Sequence, residues 1–164
     1  MKSFKKREKA GQPLTDTEIG AIKEYLASKS EIILAYLFGS HAKGRLRPTS
    51  DVDIAILAID KKINPSIDYY KLRFALEDAL SKLLERDVDV IPLNNAPLFL
   101  QYQVLKYGKI IFERSQRERV LFEVNLRKYY FDMKPRYDYY SEMTLAQFKS
   151  GKISDRERFI KKKA

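Results

Sequence analysis

The sequence predicts an α/β (α+β) sandwich, a mixed β-sheet of about four strands covered by helices. Two observations carry this reading. Short apolar runs rich in β-branched and aromatic residues, foremost Ile32-Ile33-Leu34-Ala35-Tyr36-Leu37-Phe38, alternate with longer segments of helical periodicity. No apolar run approaches the ~20 residues of a bilayer span, which excludes a membrane-spanning helix.

The elements follow in order. Thr15 and Glu18 stand at capping-box spacing, and Ile19, Ile22 and Leu26 recur at helical intervals, which predicts a helix over 15–29. The apolar run 32–38 is a buried strand that Gly39-Ser40 ends abruptly. A short basic segment with Gly44 leads through Pro48-Thr49-Ser50 to a second strand, Asp51 to Ala58. Pro65-Ser66 open a long helix to about Glu85, with Leu72, Leu76, Ala79, Leu80 and Leu83 as its buried stripe. Asp87 to Ile91 form a third strand, stopped by Pro92. A helix opened by Asn95-Ala96-Pro97 and closed by Gly108 follows, and then an edge strand, Lys109 to Glu113. From Ser115 to Ser150 the pattern is helical, with a break or kink expected near Pro135. The domain reading is a flexible basic arm over 1–12, the sheet domain over 13–114, a C-terminal helical region over 115–150 and a basic tail over 151–164.

Composition narrows the chemistry. The 164 residues hold no Cys, one His and a net charge of +10. Without Cys there are no disulfides, thiolate zinc sites, iron–sulfur clusters or cysteine nucleophiles. One His excludes multi-histidine metal sites. The basic N-terminus has no apolar segment after it, so it does not read as a secretory signal, and the cytoplasm is the expected location. Residues 1–9 carry +4 and residues 149–164 carry +5, which leaves the body at +1. The excess charge reads as solvated tails; direct nucleic-acid binding is not expected of the body, and a tail contact with phosphates stays open.

Three features converge on one chemistry. At Gly39-Ser40 a buried strand restarts as a short helix, where a backbone without Cβ lets a ligand approach and free N–H groups suit a phosphate. Lys43, Arg45 and Arg47 add positive charge nearby, either to steer that phosphate or as ordinary solvated groups. In Asp51-Val52-Asp53, alternation along a strand puts both carboxylates on one face. Like charges so placed repel, and a bound Mg²⁺ relieves the repulsion; a solvent-exposed strand start is the plainer alternative. Asp87-Val88-Asp89 repeats the pattern. If that strand lies beside the second, three or four carboxylates crowd one patch, the arrangement of a two-metal clamp for phosphoryl or nucleotidyl transfer. His41 reads as a polar surface group on the short helix. Tyr129, Tyr130, Tyr137, Tyr139 and Tyr140 divide between packing and a partner-binding face.

Gly39-Ser40, ten residues, then Asp51-Val52-Asp53 resembles the GSX10DXD signature of the polymerase-β-like nucleotidyltransferase superfamily. Ser50 before the first Asp and the later Val88-Asp89-Val90 strand also fit. The short chain is most similar to minimal nucleotidyltransferases (MNT), in particular the antitoxins of type VII HEPN–MNT toxin–antitoxin pairs. Ala96-Pro97, Tyr107-Gly108 and the Tyr-rich closing helix support this more loosely. The resemblance implies a nucleotidyltransferase fold in which Gly39, Ser40, Lys43, Arg47 and Ser50 bind the nucleotide. It implies that Asp51, Asp53 and Asp89 hold two Mg²⁺ ions, with Asp89 helping to deprotonate the acceptor. Asp87 has no family counterpart and reads as a strand-start residue. The implied activity is AMP transfer from ATP to a tyrosine of a cognate HEPN RNase toxin, the expected partner, which is thereby inactivated. The alternatives are a small-molecule or RNA nucleotidyltransferase, and a non-catalytic module that masks a toxin by contact.

Overall fold

The computed structural model describes residues 12–44, 47 and 50–149. The expected basic arm and basic tail lie almost wholly outside these residues. Four strands, β1 (Ile32–Phe38), β2 (Val52–Ala58), β3 (Val88–Pro92) and β4 (Lys109–Glu113), form one sheet in the order β3-β2-β1-β4. β1 runs antiparallel to β2 and to β4, whereas β2 and β3 are parallel. The helices are α1 (Asp16–Ala27), the five-residue α2 (Gly39–Lys43), α3 (Tyr69–Leu84), α4 (Leu98–Tyr107) and α5 (Gln116–Lys149). The mixed four-stranded sheet and the edge position of β4 agree with the sequence reading.

Both faces of the sheet are buried, which is why β1 reads as a continuous apolar run. On one face Ala35, Leu37, Val52, Ile54, Ile56, Val88 and Val90 pack with Ile22 and Leu26 of α1 and with Leu76, Leu80 and Leu84 of α3. On the other, Leu34, Tyr36, Ala55 and Leu57 pack with Leu93, Val104 and Phe122. The stripe of α3 is therefore 69-72-76-80-84, and the expected Leu83 is 45% exposed. That helix also starts later than Pro65-Ser66. Asn64 accepts from the Ser66 N–H in a side-chain turn, and Asp68 caps the helix by accepting from the Tyr70 and Lys71 N–H groups. Likewise α4 begins after Pro97, because Leu93–Asn95 form a separate 3-10 turn. No break occurs at Pro135, which lies inside α5.

Two compact units are distinguished, one running to Leu126 and one from Arg127. In the first, the Tyr36 hydroxyl donates to Glu123 Oε1 at 2.9 Å in a buried contact, so the early turns of α5 belong with the sheet. In the second, Tyr130 is buried, while Tyr129, Tyr137, Tyr139 and Tyr140 are exposed.

Charged side chains lock the start and the rim of the sheet unit. The capping box at Thr15 and Glu18 is formed. Glu18 also pairs with the buried Arg86 guanidinium at 3.2 Å, and Arg86 donates to the Gln12 carbonyl at 2.8 Å. Burial alone would raise the Glu18 pKa; the Thr15 N–H and Arg86 outweigh it and hold the carboxyl below its ordinary value. Arg114 donates to the carbonyls of Ile32, Ala27 and Lys29 at 2.8–3.1 Å, which satisfies the end of α1.

Removing Arg86 leaves the largely buried Glu18 carboxylate with its Thr15 hydrogen bonds but without the opposing guanidinium charge. Arg86→Ala is expected to lower unfolding stability by about 3 kcal/mol. A lower urea midpoint at unchanged slope checks this; a midpoint equal to the parent's contradicts it.

Candidate active site

The site is built where β1 ends and β2 begins. β1 places Phe38 opposite Asp53 of β2 in the antiparallel register, which brings the Gly39-Ser40 turn beside that carboxylate. Gly39 has φ +65°, a left-handed conformation that a side chain strains. A Cβ there would sit 2.0 Å from Asp53 Oδ2. Both conditions demand glycine, so the Gly-Ser element and the second Asp of the Asp-X-Asp element explain one another sterically.

On its other side, β2 pairs in parallel with β3, and Asp53 stands directly opposite Asp89. Neighbouring strands lie about 4.8 Å apart. Asp51, exposed at the residue before β2, shares the face of Asp53 by alternation, while Val52 and Ile54 are fully buried on the opposite face. The structure thus brings Asp51, Asp53 and Asp89 to one end of one sheet face. Burial raises the Asp53 pKa, and the Asp89 and Asp51 charges raise it further; the Ser40 backbone N–H pulls the other way. Asp87 lies outside β3 and is exposed, and its backbone carbonyl accepts from the Val52 N–H at 2.9 Å.

The remaining candidates divide. Arg47 is exposed, and its backbone N–H donates to Ser50 Oγ at 2.8 Å, so Ser50 shapes the turn that enters β2. The side chains of Lys43 and Arg45 lie outside the described residues. His41 is corrected: it is 8% exposed and packed inward, and among the described residues neither ring nitrogen meets a partner in full hydrogen-bond geometry. Burial, then the Arg86 charge, push its pKa down against weaker pulls from Ser50, Glu18 and Asp51, which favours the neutral ring. A single polar residue in a charged stretch gave no sign that a five-residue helix would fold its ring inward.

Three charged residues escaped the sequence reading. Arg73 Nη2 donates to Asp89 Oδ1 at 2.9 Å, and Arg73 Nε donates to Glu77 Oε1 at 2.7 Å. Glu77 also accepts from the Val90 N–H at 3.1 Å, and Ser81 Oγ accepts from the Val88 N–H at 3.2 Å. These N–H groups face the outer edge of β3, so α3 covers the bonding edge of the strand that carries Asp89. Arg86 is the third. The Arg73–Glu77 spacing of four was the one available signal.

The donor set suits a hard divalent cation: carboxylate oxygens of like charge, crowded and only partly compensated. Among the described residues no three acidic or histidine side chains already converge as a metal cluster. Asp51 and Asp53 share a face by alternation, and Asp89, whose carboxyl is shared with Arg73 and Glu77, would join them. A cleft of about 700 Å³ between α1 and β4, lined by Gly20, Ala27, Ile110 and Phe112 among others, contains none of these residues.

Comparison with known proteins bears on the family and the fold. The family described as Polymerase beta, Nucleotidyltransferase matches residues 20–117. The chain is 36% identical over 87 residues to the protein adenylyltransferase MntA of Shewanella oneidensis, a match covering 53% of this chain and 58% of that relative. The match thus spans less than two thirds of the relative's length. A crystal structure of a toxin–antitoxin with AMP-PNP superposes with a TM-score of 0.65 at 28% identity, over 80% of this chain and 99% of that one. A re-refined structure of the tri-AMPylated Shewanella oneidensis HEPN toxin in complex with MNT antitoxin gives 0.64 at 26%, with the same coverage. No helix among the described residues is long and apolar enough to cross a membrane.

Two predictions follow from the site geometry. Gly39→Ala is expected to displace the Asp53 carboxylate and weaken nucleotide binding by at least about 100-fold, with a stability loss of only about 1–2 kcal/mol; wild-type affinity in a calorimetric titration contradicts the steric account. Because the folded-state pKa of Asp53 lies above its ordinary 3.8, its ionisation disfavours the folded state as pH rises. Asp53→Asn is therefore expected to melt higher than the parent at pH 7 in EDTA, and the gain should shrink as pH falls and vanish once it is well below the ordinary 3.8. A gain independent of pH excludes charge crowding as its cause.

Proposed function

The chain belongs to the polymerase beta nucleotidyltransferase family, and on that premise we propose that it is the antitoxin of a HEPN–MNT toxin–antitoxin pair. In this reading it transfers AMP from ATP to a tyrosine of its cognate HEPN-domain toxin. The observation that carries the reading is the register of Asp53 opposite Asp89, with Gly39 fitted against Asp53. The similarity to a protein adenylyltransferase and to antitoxins solved with AMP-PNP and with an AMPylated toxin supports the donor and the acceptor.

The residues divide the work as follows. Gly39 and Ser40 hold the triphosphate, and the missing Cβ of Gly39 leaves the Asp53 carboxylate its place beside that turn. Arg47 and Lys43 supply positive charge toward the triphosphate, and Ser50 fixes the turn that sets Asp51. Asp51, Asp53 and Asp89 would hold Mg²⁺, which when bound screens the phosphate charge and favours departure of pyrophosphate. Asp89 takes the proton of the acceptor hydroxyl. The tyrosine oxygen bonds to the α-phosphorus, the α–β phosphoanhydride bond breaks, and pyrophosphate leaves with the bonding electrons. The protein contributes position and charge rather than a nucleophile.

Incubating the chain with Mg-ATP and the HEPN-type protein encoded beside it is expected to add whole AMP units to that protein, read by intact mass. Asp51→Asn combined with Asp53→Asn should reduce the rate by at least about 1000-fold. No mass change with the wild type contradicts the reading. Protection of cells by the double variant equal to wild type favours masking by contact. Labelling of RNA or of small molecules in place of the protein favours the other nucleotidyltransferase classes.

A further inference from the structure

We propose that Arg73 is a positioning residue for Asp89. It orients the third carboxylate and lowers the negative charge of the trio before a nucleotide arrives. The proposal rests on the reading of the site as a nucleotidyltransferase centre.

The geometry is specific. Arg73 projects from α3, and its guanidinium forks between two acceptors, Glu77 Oε1 at 2.7 Å and Asp89 Oδ1 at 2.9 Å. Glu77 is itself fixed, because its Oε1 also accepts from the Val90 N–H. The guanidinium lies 5.9 Å from the centroid of the Phe74 ring. Helix, strand edge and aromatic ring thus hold the group in one place. It reaches Asp89 across the outer edge of β3 and engages Oδ1, and the Glu77 carboxyl also lies within hydrogen-bond reach of the Asp89 carboxyl. Arg73 and Asp89 are about 40% exposed, so this contact is not a burial requirement of the fold. Surface pairs of this kind add little to stability. A planar fork, in contrast, fixes direction, which a lysine does not reproduce.

Asp51, Asp53, Asp89 and the adjacent Glu77 together bring four negative charges to this sheet end, and Arg73, shared between Glu77 and Asp89, offsets one of them. The guanidinium and a divalent cation therefore compete for the same field: removing it tightens cation binding and at the same time frees Asp89 to turn. Held in place, Arg73 keeps the resting site open to the incoming metal–nucleotide complex and keeps Asp89 aimed.

The test uses the full chain and three readouts. Mn²⁺ affinity is taken from the electron paramagnetic resonance signal of the free ion, without nucleotide. kcat and KM for ATP come from AMP transfer to the cognate acceptor, and folding from a thermal melt. Arg73→Gln is expected to bind Mn²⁺ about fivefold more tightly, to lose at least about tenfold in kcat, and to leave KM for ATP within about twofold. Arg73→Lys keeps the charge without the fork, so its Mn²⁺ affinity should match wild type while kcat stays low. An unchanged Mn²⁺ affinity or an unchanged kcat in Arg73→Gln, with Arg73→Lys behaving like wild type in both, overturns the proposal. A wild-type chain that takes no Mn²⁺ and transfers no AMP overturns the functional reading along with it, whereas an active wild type matched by both variants overturns this inference alone.

Discussion

Two like charges held side by side govern this molecule. Asp53 and Asp89 are register partners on adjacent parallel strands, and no fold gains stability from that pairing. The neighbourhood manages the repulsion. The Ser40 backbone N–H faces Asp53, Gly39 gives up its Cβ to make room, and Arg73 reaches over the sheet edge to Asp89. Asp53 and Asp89 both remain partly exposed at the surface.

The rest of the sheet unit is scaffold for that one place. A sheet buried on both faces fixes the register of β1, β2 and β3, and a slip of one residue would turn Asp53 or Asp89 to the opposite face. Glu77 and Ser81 occupy the outer N–H groups of β3, so the strand carrying Asp89 is tied to α3 along its open side. Arg86 joins the end of α3 to the cap of α1 through Glu18, and Arg114 ties the end of α1 to the start of β1. Polar side chains with several backbone acceptors do this work at the edges, where apolar packing runs out.

The fold was legible because its signals are local. The β1 run, the Thr15–Glu18 box and the helical spacing of Leu76 and Leu80 each report their own element. So were Gly39, Ser40, Asp51 and Asp53, whose spacing in the chain is their geometry: a strand, a turn and a return strand. Asp89 was legible as a candidate only, since its place depends on which strands pair. The starts of α3 and α4 were missed because an Asn64 turn and a 3-10 turn intervene. Leu83 was assigned to the stripe that Leu84 fills, a difference of 100° on the helix. His41 and Arg73 were out of reach for one reason: their roles are set by partners from other elements. Arg86 with Glu18, 68 residues apart, is the extreme case.

The central claim is that β2, β3 and the Gly39-Ser40 turn together form one metal–nucleotide site. Diffraction from crystals grown with Mn²⁺ and a non-hydrolysable ATP analogue, recorded for the anomalous signal of manganese, tests it most directly. The account predicts manganese bound by Asp51 and Asp53, with the triphosphate against Ser40 and Asp89 within reach of the α-phosphate. Manganese and nucleotide bound elsewhere, with these three carboxylates unengaged, would contradict it.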